Sequence, residues 1–510
     1  MSNNRTIAKN TIFLYFRMII TMLVTLYTSR VILQVLGIDD FGLYGAVAGV
    51  VGMLIFLNGA LSTGTSRFLT FELGTGDFEK LKKTFSTLLS VHIILAIVIV
   101  ILAETVGLWF VYHKLSIPAD RMDAALWTYH ISVFATFILI MQVPYSASVI
   151  SHEKMNIFAY ASIVDVVLKL CIVYLLSVGN MDKLILYALL MCVVSIGMGL
   201  FYMLYCISHF KETRYTFMFD KNIFKSVAGF SAWSLISGLA IALNTQGTVI
   251  LTNIFFGPAV VTARAISVQV NSAANQFVSN FRTAVNPQIV KQFAAEDYGE
   301  SKKLLLNSTK FSFFLMLLLG LPIILLAEPI LHIWLEEVPE YAVIFVQLII
   351  IQSLFSVFDT SFYTALFTKG RLRENALISP LLGFIQFPVI YLLFKKGYSP
   401  IVMSYAGIIV YALLGLVIKP VLICKIVNYT FRDITSVFMP CLKVCIVAVP
   451  VPVLVHYYLD NSLINYFAVC VVSAICVLTA VYYLGINRQM RHKIMFVVKD
   501  KIRNVNHKQI

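Results

Sequence analysis

Charge is what this chain has least of. Only 13% of its 510 residues are Asp, Glu, Lys or Arg, about half the share of an average soluble domain. That composition excludes an ordinary water-soluble fold. The strings that mark common chemistries are also missing. No G-x-x-x-x-G-K-[ST] loop occurs, so ATP is not held that way, and there is no H-E-x-x-H metal motif. The cysteines Cys171, Cys192, Cys206, Cys424, Cys441, Cys445, Cys470 and Cys476 lie in or beside apolar runs and fit neither a metal spacing nor a disulfide framework. Cys441 and Cys445 read as two packed thiols on one helix. The alternating strands of an outer-membrane barrel are absent. Outer loops long enough for a soluble catalytic domain are absent too. The reading is of a protein that is not an enzyme and needs no cofactor or metal.

What fills the chain instead is hydrocarbon. Hydrophobic residues make up 59%, in runs that can each cross about 30 Å of bilayer as a helix. The expected fold class is an all-α polytopic membrane protein with about fourteen transmembrane helices. The first two spans are expected at 11–36 and 42–66, the seventh and eighth at 227–256 and 259–288, the tenth at 341–367 and the last at 463–485. Met1 to Asn10 is polar and the first apolar run is too long for a signal peptide, so that run should stay as the first span.

Basic residues orient the spans. With a cytoplasmic N-terminus, Lys and Arg favour the inner segments by roughly five to one. The outer loops then hold only Lys114, Arg121, Lys183, Lys395 and Lys396. Both termini should be cytoplasmic, in a bacterial inner membrane. This bias accounts for the net charge of +14 without nucleic-acid binding.

The eighth span stands apart from the rest. At about 100° per residue, Arg264, Asn271, Asn275 and Arg282 fall within roughly 20° of one line along a helix. A charged side chain at the bilayer centre costs on the order of 3 kcal/mol. Such a stripe should therefore face a water-filled cavity, and a cationic cavity suits an anionic substrate.

The chain also repeats, with a period of about 220 residues. Val31-Ile32-Leu33 and Leu36-Gly37 match Val249-Ile250-Leu251 and Phe256-Gly257 in type. Gly76-Asp77-Phe78-Glu79-Lys80 resembles Glu296-Asp297-Tyr298-Gly299-Glu300. Six spans per repeat give both halves one orientation. The expected organisation is a six-helix lobe over 1–220, a second over 221–430, two further helices over 431–487 and a basic cytoplasmic tail over 488–510. Under this repeat, spans one, two, seven and eight correspond, and they are the most polar. Arg17 with Thr21 and Thr28, Asn58 with Ser62 and Thr65, and Ser237 with Asn244 and Thr248 each share a face.

Acidic residues within spans are few. Asp165 and Lys169, four apart, should neutralise each other. Asp359 reads as the least compensated carboxylate in a span and is the candidate for ion coupling.

The opening Ala8-Lys9-Asn10-Thr11, the stretch Ser29-Arg30-Val31-Ile32-Leu33 to Leu36-Gly37, and Phe41-Gly42-Leu43-Tyr44 resemble the N-terminal region of bacterial polysaccharide-biosynthesis membrane proteins. These are the O-antigen-type flippases of the multidrug/oligosaccharidyl-lipid/polysaccharide (MOP) exporter superfamily. The resemblance implies a V-shaped pair of lobes, alternating access, and transfer of undecaprenyl-pyrophosphate-linked oligosaccharide to the periplasmic leaflet for O-antigen or capsule. It implies cavity arginines on the first and eighth helices, positions held here by Arg17 and Arg264. Arg264, Arg17, Asn271, Asn275, Arg282, Asn244 and Asn58 are thus the expected substrate-binding residues. Expected partners are the lipid-linked oligosaccharide and membrane lipids, with a polysaccharide polymerase and glycosyltransferases as neighbours. Two alternatives stay open: a cation-coupled multidrug exporter of the same superfamily, and a membrane glycosyltransferase or polymerase.

Overall fold

The computed structural model describes residues 2–152, 154–176, 178, 180–216, 218–225, 238–369, 373–460, 462–486 and 491. These residues form helices joined by short turns, with no strand among them. Among the described residues, eleven helices are long and apolar enough to cross a membrane. The fold class is therefore all-α and membrane-spanning. The opening part of the expected seventh span, with Ser237, and the basic tail apart from Arg491 lie outside the described residues.

The first two expected spans are drawn out into one helix, Ser2–Leu54, kinked at Gly37, followed by Phe56–Thr75. The break at Ile55 falls inside the range expected to be continuous. Gly52 and Gly59 flank it, and glycine is the weakest helix former after proline. The eighth span also outruns its expected limits, as an unbroken helix from Pro258 to Ala294.

Local backbone geometry recurs about 220 residues apart. Gly37 sits at φ 78°, ψ 172° and Gly257 at φ 80°, ψ −178°, a region open essentially to glycine alone. Gly76 at φ 74° is matched by Glu296 at φ 62°. Asp77 then caps its helix by accepting from Lys80 N, and Asp297 does the same from Glu300 N, both at 3.0 Å. Each carboxylate satisfies one of the orphan amides of a helix start.

The described helices fall into two compact units. The first comprises Met1–Gln269, Trp334–Ala342 and Ala376–Ala406. Within it, helix Met122–Ser151 packs against Lys183–His209, Phe78–Leu102, Phe56–Thr75 and Ser2–Leu54. Its core joins Leu43, Val47, Val50, Ala103, Tyr129 and Leu184. The Tyr129 hydroxyl donates to Ala103 O at 2.7 Å, where the helix widens into a π-turn over Ala103–Gly107. Gly107 leaves room for that hydroxyl, since a Cβ there would lie 2.2 Å from it. Arg121 ties two chain turns together, donating from Nε to Asp40 Oδ1 at 2.9 Å while also pairing with Asp182.

The second unit comprises Val270–Ile333, Val343–Asn375 and Gly407–Ile510. Helix Tyr298–Leu325 packs against Phe431–Ala448 and Leu463–Ala480. Phe313 stacks on Phe358 at 5.1 Å between centroids, and Phe438 meets Phe358 edge-on at 5.0 Å. Thr430 and Asp433 form a capping box, and Lys302 Nζ reaches Asp433 Oδ2 at 2.9 Å.

Candidate functional site

The polar stripe lies on helix Pro258–Ala294 as the periodicity requires, but its residues belong to both units. Arg264 is in the first; Asn271, Asn275 and Arg282 are in the second.

In the second unit, Asn271 and Asn275 form a closed triangle with Ser353 of helix Ala342–Thr368. Asn271 Oδ1 accepts from Asn275 Nδ2 at 2.8 Å and from Ser353 Oγ at 2.6 Å. Asn275 Nδ2 also donates to Ser353 Oγ at 3.1 Å. The i, i+4 spacing brings the two amides together, and Ser353, buried, supplies the third corner. Asn271 Nδ2 and Asn275 Oδ1 stand outside the triangle.

Further along the same helix, Arg282 Nη2 donates to the carbonyl of Thr360. This brings the guanidinium within Coulomb range of Asp359. Asp359 Oδ1 is 3.2 Å from Lys419 Nζ, with the lysine side chain only 3% exposed and the aspartate 16%. The contact is an ion pair without a well-aligned hydrogen bond at Oδ1. The Lys419 ammonium also lies 5.3 Å from the ring centroid of Tyr363, a favourable cation–π distance. Lys419 opens the helix that directly follows a widened turn. Leu413–Ile418 is a π-turn, and Gly415 in it presses so close that a Cβ would meet Phe355 O at 2.6 Å. Such π-turns recur at functional sites.

This corrects one expectation. Asp359 is not poorly compensated: it has Lys419 against it and Arg282 nearby. The pairing joins separate helices, so no i, i+4 spacing announced it. The signal was Lys419, which with Lys425 is one of two lysines within the apolar run Val402–Val427. Two cations around one carboxylate leave the cluster with one excess positive charge.

In the first unit, Arg264 is half-buried, and its carbonyl accepts from Ser267 Oγ at 2.7 Å. Asn244 Nδ2 donates to Ala240 O at 3.0 Å. Among the described residues, Asn244 Oδ1, Asn58 Oδ1 and Gln269 Oε1 are buried without a hydrogen-bond partner. Buried polar atoms are almost always satisfied, so each of these amide oxygens suits a donor from outside the protein, such as water or a ligand hydroxyl. The side chain of Arg17 lies outside the described residues. Asp165 and Lys169 do pair, at 2.7 Å.

A family model described as "Polysaccharide biosynthesis protein" matches residues 7–293. Solved structures share the fold. The inward-facing conformation of a multidrug resistance MATE family transporter of the MOP superfamily aligns with a TM-score of 0.67 at 15% identity, over 80% of this chain and 96% of that one. The lipid II flippase MurJ, in an inward closed conformation, aligns with a TM-score of 0.65 at 14% identity, over 92% of this chain and 98% of that one. No curated protein matches the chain. At such identities the likeness speaks to the fold, and function has to be argued from the residues.

Proposed function

Because the chain belongs to the polysaccharide biosynthesis protein family, we propose that it is a flippase. Its cargo is an undecaprenyl-pyrophosphate-linked oligosaccharide bound for O-antigen or capsule, moved by alternating access from the cytoplasmic to the periplasmic leaflet of the inner membrane. The observation that carries this reading is the excess positive charge of Arg282 and Lys419 around Asp359, within helices otherwise made for lipid.

A pyrophosphate cannot enter hydrocarbon without losing its hydration. Arginine keeps its charge and offers forked donors to phosphate oxygens. In this reading Arg264, Arg282 and Arg17 attract the pyrophosphate. Asn271 and Asn275 offer amide groups outside their triangle. Asn58 and Asn244 offer buried acceptor oxygens for sugar hydroxyls, the donors a glycan has in abundance. Asp359 is the carboxylate placed for coupling, with Lys419 holding it while no other cation does. The repeats over 1–220 and 221–430 are the two lobes that alternate. The headgroup must be held about equally well in both states, since a ligand that favours one state only traps it.

Export of surface polysaccharide in a strain lacking the chromosomal copy tests this. Arg264→Ala and Arg282→Ala should each fold, reach the membrane and lose export. Normal export by both variants would remove the cationic site from the mechanism. A cationic drug would need an available acid, and Asp359 is already engaged by Lys419.

A further inference from the structure

Lys310, in helix Tyr298–Leu325 of the second unit, is 8% exposed although it carries a charge. Earlier on the same helix, Lys302 Nζ pairs with Asp433 Oδ2 at 2.9 Å. About two turns beyond that pair, the buried Cys441 thiol lies within Coulomb range of the Lys310 ammonium. Helices Tyr298–Leu325 and Phe431–Ala448 therefore run side by side in one direction. One turn beyond Lys310, Phe314 presses on Gly485, where a Cβ would fall 2.8 Å from its ring. Gly485 ends the third helix of this bundle, Leu463–Gly485. Arg491 folds back onto that end, donating from Nη2 to Tyr483 O at 2.8 Å and from Nε to Ile486 O at 3.1 Å. Among the described residues neither cation is paired with a carboxylate. Lys310 Nζ has no hydrogen-bond partner among them either, yet it is not sealed from the outside.

The span Phe431–Tyr458 sets the depth. Its 28 residues rise about 42 Å, about 12 Å more than the hydrocarbon core. Tyr457 and Tyr458 are largely exposed and mark the outer interface, so the excess lies at the inner end. From Asp433 to Cys441 is about 12 Å of helix. Cys441 and Lys310 thus lie where acyl chains meet headgroup phosphates. A buried cation with no internal anion pays for desolvation without return. A lipid phosphate supplies the missing charge, as in basic pockets between spans on the cytoplasmic side. We propose that the junction of these three helices binds the phosphate of one anionic glycerophospholipid of the inner leaflet, through Lys310 and Arg491. The proposal rests on the topology with cytoplasmic termini and uses none of the residues assigned to the cargo.

The test uses the full chain, extracted from vesicles of equal parts phosphatidylglycerol and phosphatidylcholine and weighed intact by native mass spectrometry. One phosphatidylglycerol should stay on each chain, at least fivefold over phosphatidylcholine. Millimolar inorganic phosphate should not displace it. Crosslinking of the parent by a phosphatidylglycerol with a photoreactive headgroup should map to residues 438–445 and 481–491. Lys310→Arg should keep the lipid and Lys310→Met should lose it. Cys441→Asp gives Lys310 an anion of its own and should release the lipid while the protein stays folded. Equal retention of the two lipids, crosslinks only at other segments, or a Lys310→Met or Cys441→Asp that binds like the parent would overturn the site. Displacement by inorganic phosphate would also overturn it, as a site for the free ion. Should both substitutions fail to fold, the crosslink map of the parent decides alone.

Discussion

The ion pair between Asp359 and Lys419 yields the sharpest prediction. At 3.2 Å, two unit charges attract by about 5 kcal/mol at an effective dielectric of 20. Most of that is offset by the cost of keeping both charges out of water. Removing one partner leaves the cost without the attraction and destabilises by about 3–5 kcal/mol. The two single substitutions should not be equal. Lys419→Met leaves Asp359 with Arg282 still in Coulomb range, so the loss should sit at about 3 kcal/mol or below. Asp359→Asn leaves Lys419 and Arg282 as two cations with no anion, so the loss should approach about 5 kcal/mol. Removing both returns the cluster to the parent's single excess positive charge, now on Arg282, and should cost only about 1 kcal/mol. Denaturant unfolding of the purified variants in mixed micelles measures the cycle. The expected coupling is several kcal/mol in favour of the pair. Near-additive singles, or a milder Asp359→Asn than Lys419→Met, would refute the argument that these charges compensate one another inside the membrane.

Other expectations follow from single contacts. Glu296 holds a left-handed backbone at φ 62°, where its repeat counterpart is glycine; Glu296→Gly should therefore stabilise by up to about 1 kcal/mol, read as a raised unfolding midpoint. Ser353→Ala removes a donor to Asn271 Oδ1 and breaks the triangle, which should cost about 1 kcal/mol in the same assay, a figure typical of one hydrogen bond. At Asp182, burial pushes the carboxyl pKa up, but the hydrogen bonds from Arg121, Ile185 N and Leu184 N and the charge of Arg121 together outweigh it, and the net shift is downward. A lowered folded-state pKa gives stability that is complete above the unfolded value of about 3.9 and fades as pH falls through the folded value. Asp182→Asn should thus be less stable than the parent near neutral pH, with the gap closing in acid. A gap that widens on acidification would contradict the sign.

Sequence alone determined the class of fold. A bilayer forces backbone groups to be satisfied within each span, so an apolar run of sufficient length has one common solution, a helix. The backbone breaks were legible for a similar reason: Gly37 and Gly257 occupy a region of φ/ψ space that other residues avoid, wherever they sit in the fold. The stripe on helix Pro258–Ala294 was legible because helical periodicity is a local property. Tertiary structure decided which charges meet. Lys419 meets Asp359 where Gly415 lets the two helices close up, and that approach leaves no pattern along the chain. It likewise decided that the glycines at 42, 45, 49 and 52 face residues 246–262, since a missing side chain has no preferred partner until two backbones are brought together.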